Sequence, residues 1–458
     1  MNSELFKNRL TNITEKKPEW AVTILKIKDW VEDVDVIKKN RINPYQVATD
    51  ISSPLRVVVG VLLHGVKESL FRLHWDIHCP HCNMITTEES SLSKTSGDSY
   101  CKMCDVKFLS DFSTRVEVSF SLHPEIDIID LPPFCGPPPK LEVYAALDVP
   151  QGQTVQTEVE LVPGKYRYFC PITTSKGILT IEGEPSIDMQ VMKLNQLNES
   201  KYDHSFYRLR PGKIQVSVTN QSDMPSGLFI TTDDLKEELN PEDYGHRLSG
   251  LELIHFPEFQ ELFGEEKLSE REKMTISGVA ILFTDITGST KMYEELGDIK
   301  AYNIVRDHFD ILSETIQKNG GTLIKTIGDA VMASFLRAAD AMETVFSVKK
   351  QFDAYNAPKS TKEQIHLKIG IHSGPAILVN LNDRIDYFGT TVNKAARVQS
   401  LAQENHFCIS EDVWETEGIK QILKANHVRR VNRKKRELKG LLGKHPIYFI
   451  PLVHLEPN

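Results

Sequence analysis

Apolar residues follow three successive rhythms along the chain. Residues 1–78 favour helical spacing, about 115 to 235 favour alternation, and both periods mix from 276 onward. In "SSPLRVVVGVLLHGVKESLFRLHW", Leu55, Val58, Val59, Leu62, Leu63 and Val66 share one helical face. Ser52 or Ser53 is the expected N-cap, with Pro54 in the first turn. A shorter capped helix, "NPYQVATDI", precedes it, so residues 1–78 read as a helical, winged-helix-like module. Between 115 and 235 seven short alternating runs, from "RVEVSFSL" to "SGLFITT", are separated by turn residues and predict an antiparallel β-sandwich. "LPPFCGPPPK", 131–140, reads as a connector, because proline cannot pair within a central strand.

Residues 236–275 read as a charged, partly helical linker. From 276 the order runs strand "GVAILFTDI", helix "TGSTKMYEELG", a long helix at about 300–318, hairpin "GGTLIKTIGDAVMASF", helix 338–356, strand "IHLKIGIHSG", "NDRIDYFGTTVNKAARVQSLA" and strand "HPIYFIP". Strands alternating with helices predict an α/β or α+β layered domain over 276–455. The whole is thus a multidomain chain of roughly two to four domains.

Composition narrows the function classes. The chain has 458 residues, 40% hydrophobic and 26% charged, as expected of a folded protein. A formal net charge of −9 argues against a dedicated nucleic-acid binder, which needs basic surface to neutralise phosphates. The longest apolar run, "VVVGVLL" at 57–63, is too short to span a bilayer, and the N-terminus lacks the apolar core of a signal peptide. A cytoplasmic protein is expected. "CPHC" and "CKMC" supply Cys79, Cys82, Cys101 and Cys104, while Cys135, Cys170 and Cys408 stand alone. Two CxxC pairs present four thiolates tetrahedrally, which predicts one structural Zn²⁺ in a ribbon over 79–114. His78 and His81 adjoin these ligands, but a complete four-cysteine set leaves them no vacancy.

"FTDITGST" and "KTIGDAVMASF" carry the candidate chemistry. Asp285 ends an apolar strand, and Thr287, Gly288, Ser289 and Thr290 open a helix whose free N–H groups suit a polyphosphate. Asp329 sits at a hairpin turn and meets Asp285 if their strands are neighbours. Two such carboxylates repel unless a divalent ion lies between them. Taken singly, each aspartate is as well explained as a cap or a turn residue.

With "GIHSG", "DYFGTTVNKAAR" and "ELKG" following in the same order, residues 276–455 resemble a class III nucleotidyl cyclase catalytic domain. The resemblance implies a ferredoxin-like α+β fold. It implies two Mg²⁺ or Mn²⁺ per site on Asp285 and Asp329, with the Ile286 carbonyl as a further ligand. Lys325 and Asp386 match the pair that reads the purine, Asn393 the residue that orients the ribose, and Arg397 the one that stabilises the reacting phosphate. Lys368 and Lys439 match basic positions on the triphosphate. The first 235 or so residues resemble an uncharacterised domain that precedes such cyclases in some bacterial proteins, through "LHWDIHCPHC", the second CxxC and "FSLHPEI".

The expected reaction is in-line attack of the ribose 3′-OH on the α-phosphorus, yielding 3′,5′-cyclic AMP and pyrophosphate. One ion would lower the 3′-OH pKa and the other would hold the triphosphate. Adenine offers an amine donor and the N1 acceptor, which Asp386 and Lys325 complement; guanine reverses that edge. In the family, GTP-selective members typically carry an acid at the lysine position and an uncharged residue at the aspartate position, and neither replacement is present. ATP is therefore the expected substrate. The resemblance further implies a head-to-tail homodimer whose sites take metals from one subunit and purine and transition-state residues from the other. In it Lys325 and Asp329 would serve different sites. The N-terminal region would then respond to a regulatory ligand or protein of unknown identity. The alternatives are a guanylate cyclase, or a silent nucleotide-binding regulator. "RRVNRKKR", 429–436, reads as a solvated strand edge, His372 as a packing or hydrogen-bonding residue, and His123 with Cys170 as sandwich packing.

Overall fold

The structure, a computed structural model, describes residues 1–129, 142–198, 201–232, 245–269, 272–381, 384–403 and 406–452. The 131–140 connector, Cys135 and parts of the 236–275 linker lie outside them. The chain divides into two compact units, Met1–Ser91 with Asp98–Ser110 and Thr114–Leu248, and Leu92–Gly97 with Asp111–Ser113 and Ser249–Asn458.

The first unit opens with five helices, α1 (Ser3–Lys16), α2 (Ala21–Asp33), α3 (Val36–Asn40), α4 (Pro44–Asp50) and α5 (Leu55–Lys67). Asn43 caps α4 by accepting from the Tyr45 N–H at 2.9 Å, with Pro44 in the first turn where its missing N–H costs nothing. Helix α5 starts later than expected: Pro54 is its N-cap position, without a side-chain cap, and neither serine caps it. It also ends earlier. Residues 71–78 form strand β1 (Phe71–His78), because Phe71, Leu73, Trp75 and Ile77 alternate and are all buried. This corrects the all-helical reading of 1–78.

Next come β2 (Ile85–Glu89), β3 (Asp98–Cys101), β4 (Val106–Leu109) and β5 (Val116–Leu122). Strand β1 is central in a sheet ordered β2–β1–β5, so "RVEVSFSL" pairs with β1 instead of opening the sandwich. Nine further strands follow: β6 (Val143–Val149), β7 (Thr154–Leu161), β8 (Gly164–Phe169), β9 (Lys176–Ile181), β10 (Gln190–Leu197), β11 (Lys201–Tyr202), β12 (Phe206–Leu209), β13 (Gly212–Asn220) and β14 (Ser226–Thr232). They make sheets ordered β11–β10–β13–β7 and β12–β9–β8–β14–β6 that share one core, including Tyr168, Leu179, Leu194, Val216 and Leu228. The expected all-antiparallel pairing does not hold, since β10–β13 and β12–β9 are parallel. Strand β10 escaped the sequence reading because a polar residue faces the core: Gln196 is fully buried and accepts from Thr173 Oγ1 at 2.9 Å.

The second unit contains α6 (Gly250–Leu253), α7 (Pro257–Leu262), β15 (Lys273–Ile286), α8 (Ser289–Leu296), α9 (Asp298–Lys318), β16 (Gly321–Ile327), β17 (Ala330–Phe335) and α10 (Ala338–Asn356). It continues with β18 (Leu367–Leu381), β19 (Arg384–Phe388), α11 (Thr390–Ser400), β20 (His406–Ser410), α12 (Glu411–Trp414), α13 (Ile419–Ala425), β21 (Asn432–Glu437) and β22 (Lys444–Pro451). The sheet runs β16–β17–β15–β18–β20–β22–β21, with β19 folded back on β18. Leu312 and Ile316 of α9 and Val345 and Phe346 of α10 share a core with Leu282 and Ile369 of the sheet. A separate core holds Val398 of α11 with Cys408 and Ile447. All six residues of β21 are exposed, so the basic run forms a charged sheet edge that resists further pairing.

Two short segments from the cysteine-bearing stretch belong to this unit and fasten the start of β15. The Gly97 N–H donates to Glu272 at 3.0 Å, the Phe112 N–H to the Thr275 carbonyl at 2.8 Å, and Ser277 Oγ to Asp111 at 2.7 Å. Elsewhere in this unit, α11 crosses β18 over Gly370, where a Cβ would lie 2.2 Å from the Gln399 nitrogen. Only glycine lets that helix approach so closely. Gly370→Ala should therefore displace α11 and lower stability by about 1–3 kcal/mol. Urea denaturation would show this as a lower midpoint at unchanged slope.

Candidate active site

Strand pairing brings two aspartates together. Thr284 of β15 faces Val331 of β17, and Asp285 faces Lys368 of β18. Asp329 precedes β17, just after Gly328, whose φ of +64° makes the tight reversal. Asp285 is half-buried, and burial first, then the charge of Asp329, pushes its carboxyl above the ordinary range while Lys368 opposes. Asp329 Oδ2 is buried without a hydrogen-bond partner. An orphaned carboxylate oxygen beside a second, destabilised carboxylate fits a hard divalent cation such as Mg²⁺ or Mn²⁺. Ile286 closes the strand opposite Leu367, so its backbone lies next to these oxygens in sequence.

The anion side follows directly. The Thr287 N–H bonds to the His366 carbonyl at 2.8 Å, while its hydroxyl is buried and unpartnered. Gly288, at φ +73°, turns the chain into α8, and Met292 is the residue whose N–H returns to the Gly288 carbonyl. Ser289 and Thr290 occupy the first turn, where N–H groups have no partner within the helix.

A second group lies on β16 and β19. Lys325 Nζ meets Asp386 Oδ2 at 2.5 Å, and Asp386 Oδ1 accepts from the Tyr387 N–H at 2.8 Å. Asp386 is only 4% exposed, so the lysine is its main compensation for burial. A register shift between Leu323 and Lys325 marks a bulge, a device that re-aims a side chain. The Lys325 ammonium also stands 5.9 Å from the centre of the Phe388 ring.

Asn393 and Arg397 lie one turn apart on α11, both exposed, and neither side chain has a partner among the described residues. Lys439 is exposed beyond β21. No hydrogen bond or ion pair among the described residues joins the aspartate pair, the Lys325–Asp386 pair, the α11 residues and Lys439 to one another. The sequence reading missed Phe388, an aromatic ring 47% exposed beside the lysine, and the Tyr387 amide. An aromatic directly after "DY" was the available signal for the first; a backbone donor leaves none. His372 is buried, with its ring nitrogen 2.7 Å from Ser410 Oγ, and burial holds its pKa down at about 4.

In the first unit the Sγ atoms of Cys79, Cys82, Cys101 and Cys104 all lie within 4.8 Å of one another. The two CxxC turns repeat one geometry. The Asn83 N–H bonds to the Cys79 carbonyl at 2.9 Å and the Asp105 N–H to Cys101 at 2.8 Å, with φ of +58° and +57°. Backbone N–H groups of His81 and Cys104 also point at Cys79 and Cys101 sulfurs, both at 3.4 Å. Such sulfur clusters suit a closed zinc site. His78 is engaged elsewhere, with Glu117 at 2.8 Å and the Asn83 carbonyl at 3.0 Å. No helix among the described residues is long and apolar enough to cross a membrane.

Comparison with known proteins meets this geometry from outside. Residues 272–451 match the adenylate and guanylate cyclase catalytic domain family, and residues 8–132 and 140–242 match a family of unknown function, DUF5939. An adenylate cyclase of Mycosarcoma maydis is 30% identical over 176 residues, 34% of this chain and 7% of its own length. One from Anabaena cylindrica is 27% identical over 207 residues, 43% of this chain and 40% of its own. A receptor-type guanylate cyclase of Caenorhabditis elegans is 27% identical over 155 residues, 31% and 15% of the two chains. The chain thus spans less than half the length of each of these relatives. Among solved structures, an adenylyl cyclase from P. aeruginosa aligns over 41% of this chain and 100% of its own, at 24% identity and a TM-score of 0.34. The guanylate cyclase domain of a Catenaria anguillulae protein aligns over 38% and 97%, at 22% and 0.33. Residues 272–451 are a class III adenylate and guanylate cyclase catalytic domain, preceded by a domain that matches DUF5939, a separate family of unknown function.

Proposed function

We propose that the protein converts ATP into 3′,5′-cyclic AMP and pyrophosphate, as a homodimer whose two sites are each shared between subunits. The observation that carries the choice of ATP is the Lys325–Asp386 contact at 2.5 Å. An adenine edge can replace it on both sides, with Lys325 donating to N1 and Asp386 accepting from the exocyclic amine. A guanine edge leaves both charges facing like partners, and each mispaired buried group costs about 1–3 kcal/mol.

Asp285 and Asp329, with the Ile286 carbonyl, would hold two divalent ions, which when bound acidify the 3′-OH and neutralise triphosphate charge. The α8 amides with Lys368 and Lys439 bind the triphosphate, and Asn393 orients the ribose. The 3′-oxygen bonds to the α-phosphorus as the bond to the β-phosphate oxygen breaks, and the hydroxyl proton is released. Arg397 donates to the α-phosphoryl oxygens as their charge grows. Its unpartnered state in a single chain supports a role toward a nucleotide held partly by another subunit. Cys79, Cys82, Cys101 and Cys104 would hold one structural zinc, and the N-terminal unit would regulate catalysis.

Purified full-length protein with ATP or GTP and each ion, with products identified by mass, tests the reading. Cyclic AMP should dominate; equal or faster turnover of GTP overturns the choice of ATP. No cyclic product under any condition, with the dimer confirmed, overturns the cyclase reading itself. Asp329→Ala should reduce activity to background with folding intact, and Lys325→Glu with Asp386→Cys should shift preference to GTP.

The carboxylate pair has its own readout. Because Asp285 titrates above its unfolded value, its ionised form weakens the ion-free fold. That loss begins as pH rises past the ordinary carboxylate range and is complete above the raised value. Mn²⁺ should therefore stabilise the protein at pH 7 and hardly at all in acid. Asp285→Asn should raise the ion-free thermal midpoint at pH 7 and erase the response to Mn²⁺. For the cysteine cluster, elemental analysis should find one zinc per chain, and Cys82→Ser should lose both the metal and stability.

A further inference from the structure

A cavity of 340 Å³ in the second unit lies apart from the carboxylates and from α11. Its walls are the turn and helix before β15 and the adjacent faces of β16 and β19. Ile254, Phe259, Phe263, Leu323, Ile324 and Ile385 make it largely apolar. Phe259 and Phe263 stack with ring centres 5.4 Å apart, a flat wall of fixed orientation. The volume falls at the small end of pockets that hold organic ligands, about 300–1,000 Å³.

The polar groups of the cavity decide what it would hold. Gln260 is already used, donating to the Ile254 carbonyl at 2.9 Å and to Thr322 Oγ1 at 3.1 Å. Glu266 is also engaged, accepting the Leu92 N–H at 2.8 Å. Two groups remain. Arg384 is exposed at the rim and makes no ion pair among the described residues, while Tyr387 is 1% exposed with its hydroxyl beside Ser334. Burial raises the Tyr387 pKa, so that hydroxyl stays protonated and adds no negative charge to the cavity wall. An apolar slot with a guanidinium at its rim that no ion pair among the described residues engages is complementary to a ligand with an apolar body and an anionic head.

We propose that this cavity binds a small amphipathic carboxylate, its aliphatic or aryl body between Phe263 and Ile385 and its carboxylate on Arg384. A planar guanidinium takes a carboxylate in a two-point contact that an ammonium cannot reproduce. The location gives such a ligand a route to the purine pair. Ile324 precedes Lys325, and Ile385 and Tyr387 flank Asp386, so the cavity lies behind the strands that aim both charges. An occupant would hold β16 and β19 in one arrangement. Any effect on turnover rests on the cyclase reading, but binding itself does not.

Isothermal titration of the full chain, without nucleotide, separates the two. The probes are dodecanoate below its micellar concentration and 1-naphthoate, with dodecylamine as the control of opposite charge. Both carboxylates should bind at one site per chain, and the tighter of the two identifies an alkyl or an aryl source. Arg384→Gln should weaken both by about tenfold or more, Arg384→Lys should recover part of the loss, and Phe263→Ala should weaken both while leaving the thermal transition cooperative. Three results overturn the proposal: no binding of either carboxylate, affinity unchanged in Arg384→Gln, or tighter binding of the amine. Each can occur with cyclase activity intact, so failure here leaves the catalytic reading untouched.

Discussion

Strand β15 is paired on both sides, and its register fixes where Asp285 stands relative to Asp329 and Lys368. Against β17 it sets Thr284 opposite Val331, and against β18 it sets Asp285 opposite Lys368. A slip of one residue on either side would turn Asp285 to the other face of the sheet and part it from Asp329. The register is specified because Ala280, Leu282 and Ile286 belong to a core shared with α9 and α10. The burial that holds the strand in place is also what raises the Asp285 carboxyl. The fold thus stores an unfavourable pair of carboxylates at the end of its most constrained strand, the arrangement a divalent ion relieves.

Candidate residues at strand ends and turns could be placed from the sequence. Asp285 closes a continuous apolar run, and Asp329 follows the glycine of a hairpin. The Lys325–Asp386 contact was not legible from periodicity, since its partners are 61 residues apart on β16 and β19. Order and identity of the surrounding motifs supplied that pairing through family resemblance. Among the strands the sequence reading did not name, β1 and β10 were lost for different reasons. In β1 the alternation of Phe71, Leu73, Trp75 and Ile77 follows directly on the apolar run of α5 and was read as its continuation. In β10 a buried, hydrogen-bonded Gln196 broke the apolar rhythm. The cavity behind the purine pair had no sequence signal, because its walls come from three segments far apart in the chain.

The cysteine-bearing stretch is ordered by its own turns. Its two CxxC turns repeat the same hydrogen bonds and left-handed residues, so four sulfurs converge with little backbone freedom left. The chain segments 92–97 and 111–113, which leave and re-enter that stretch, bond to residues 266–277 at the entry to β15.

The central claim is that one catalytic centre draws its metal-binding aspartates from one subunit and Arg397 from another. Mixing two variants that should each be inactive, Asp329→Ala and Arg397→Ala, measures this directly. A shared site predicts that the heterodimers regain one intact centre each, so an equimolar mixture recovers about a quarter of the wild-type activity. Heterodimers that form, as shown by differential tagging, yet remain as inactive as either variant alone would contradict it.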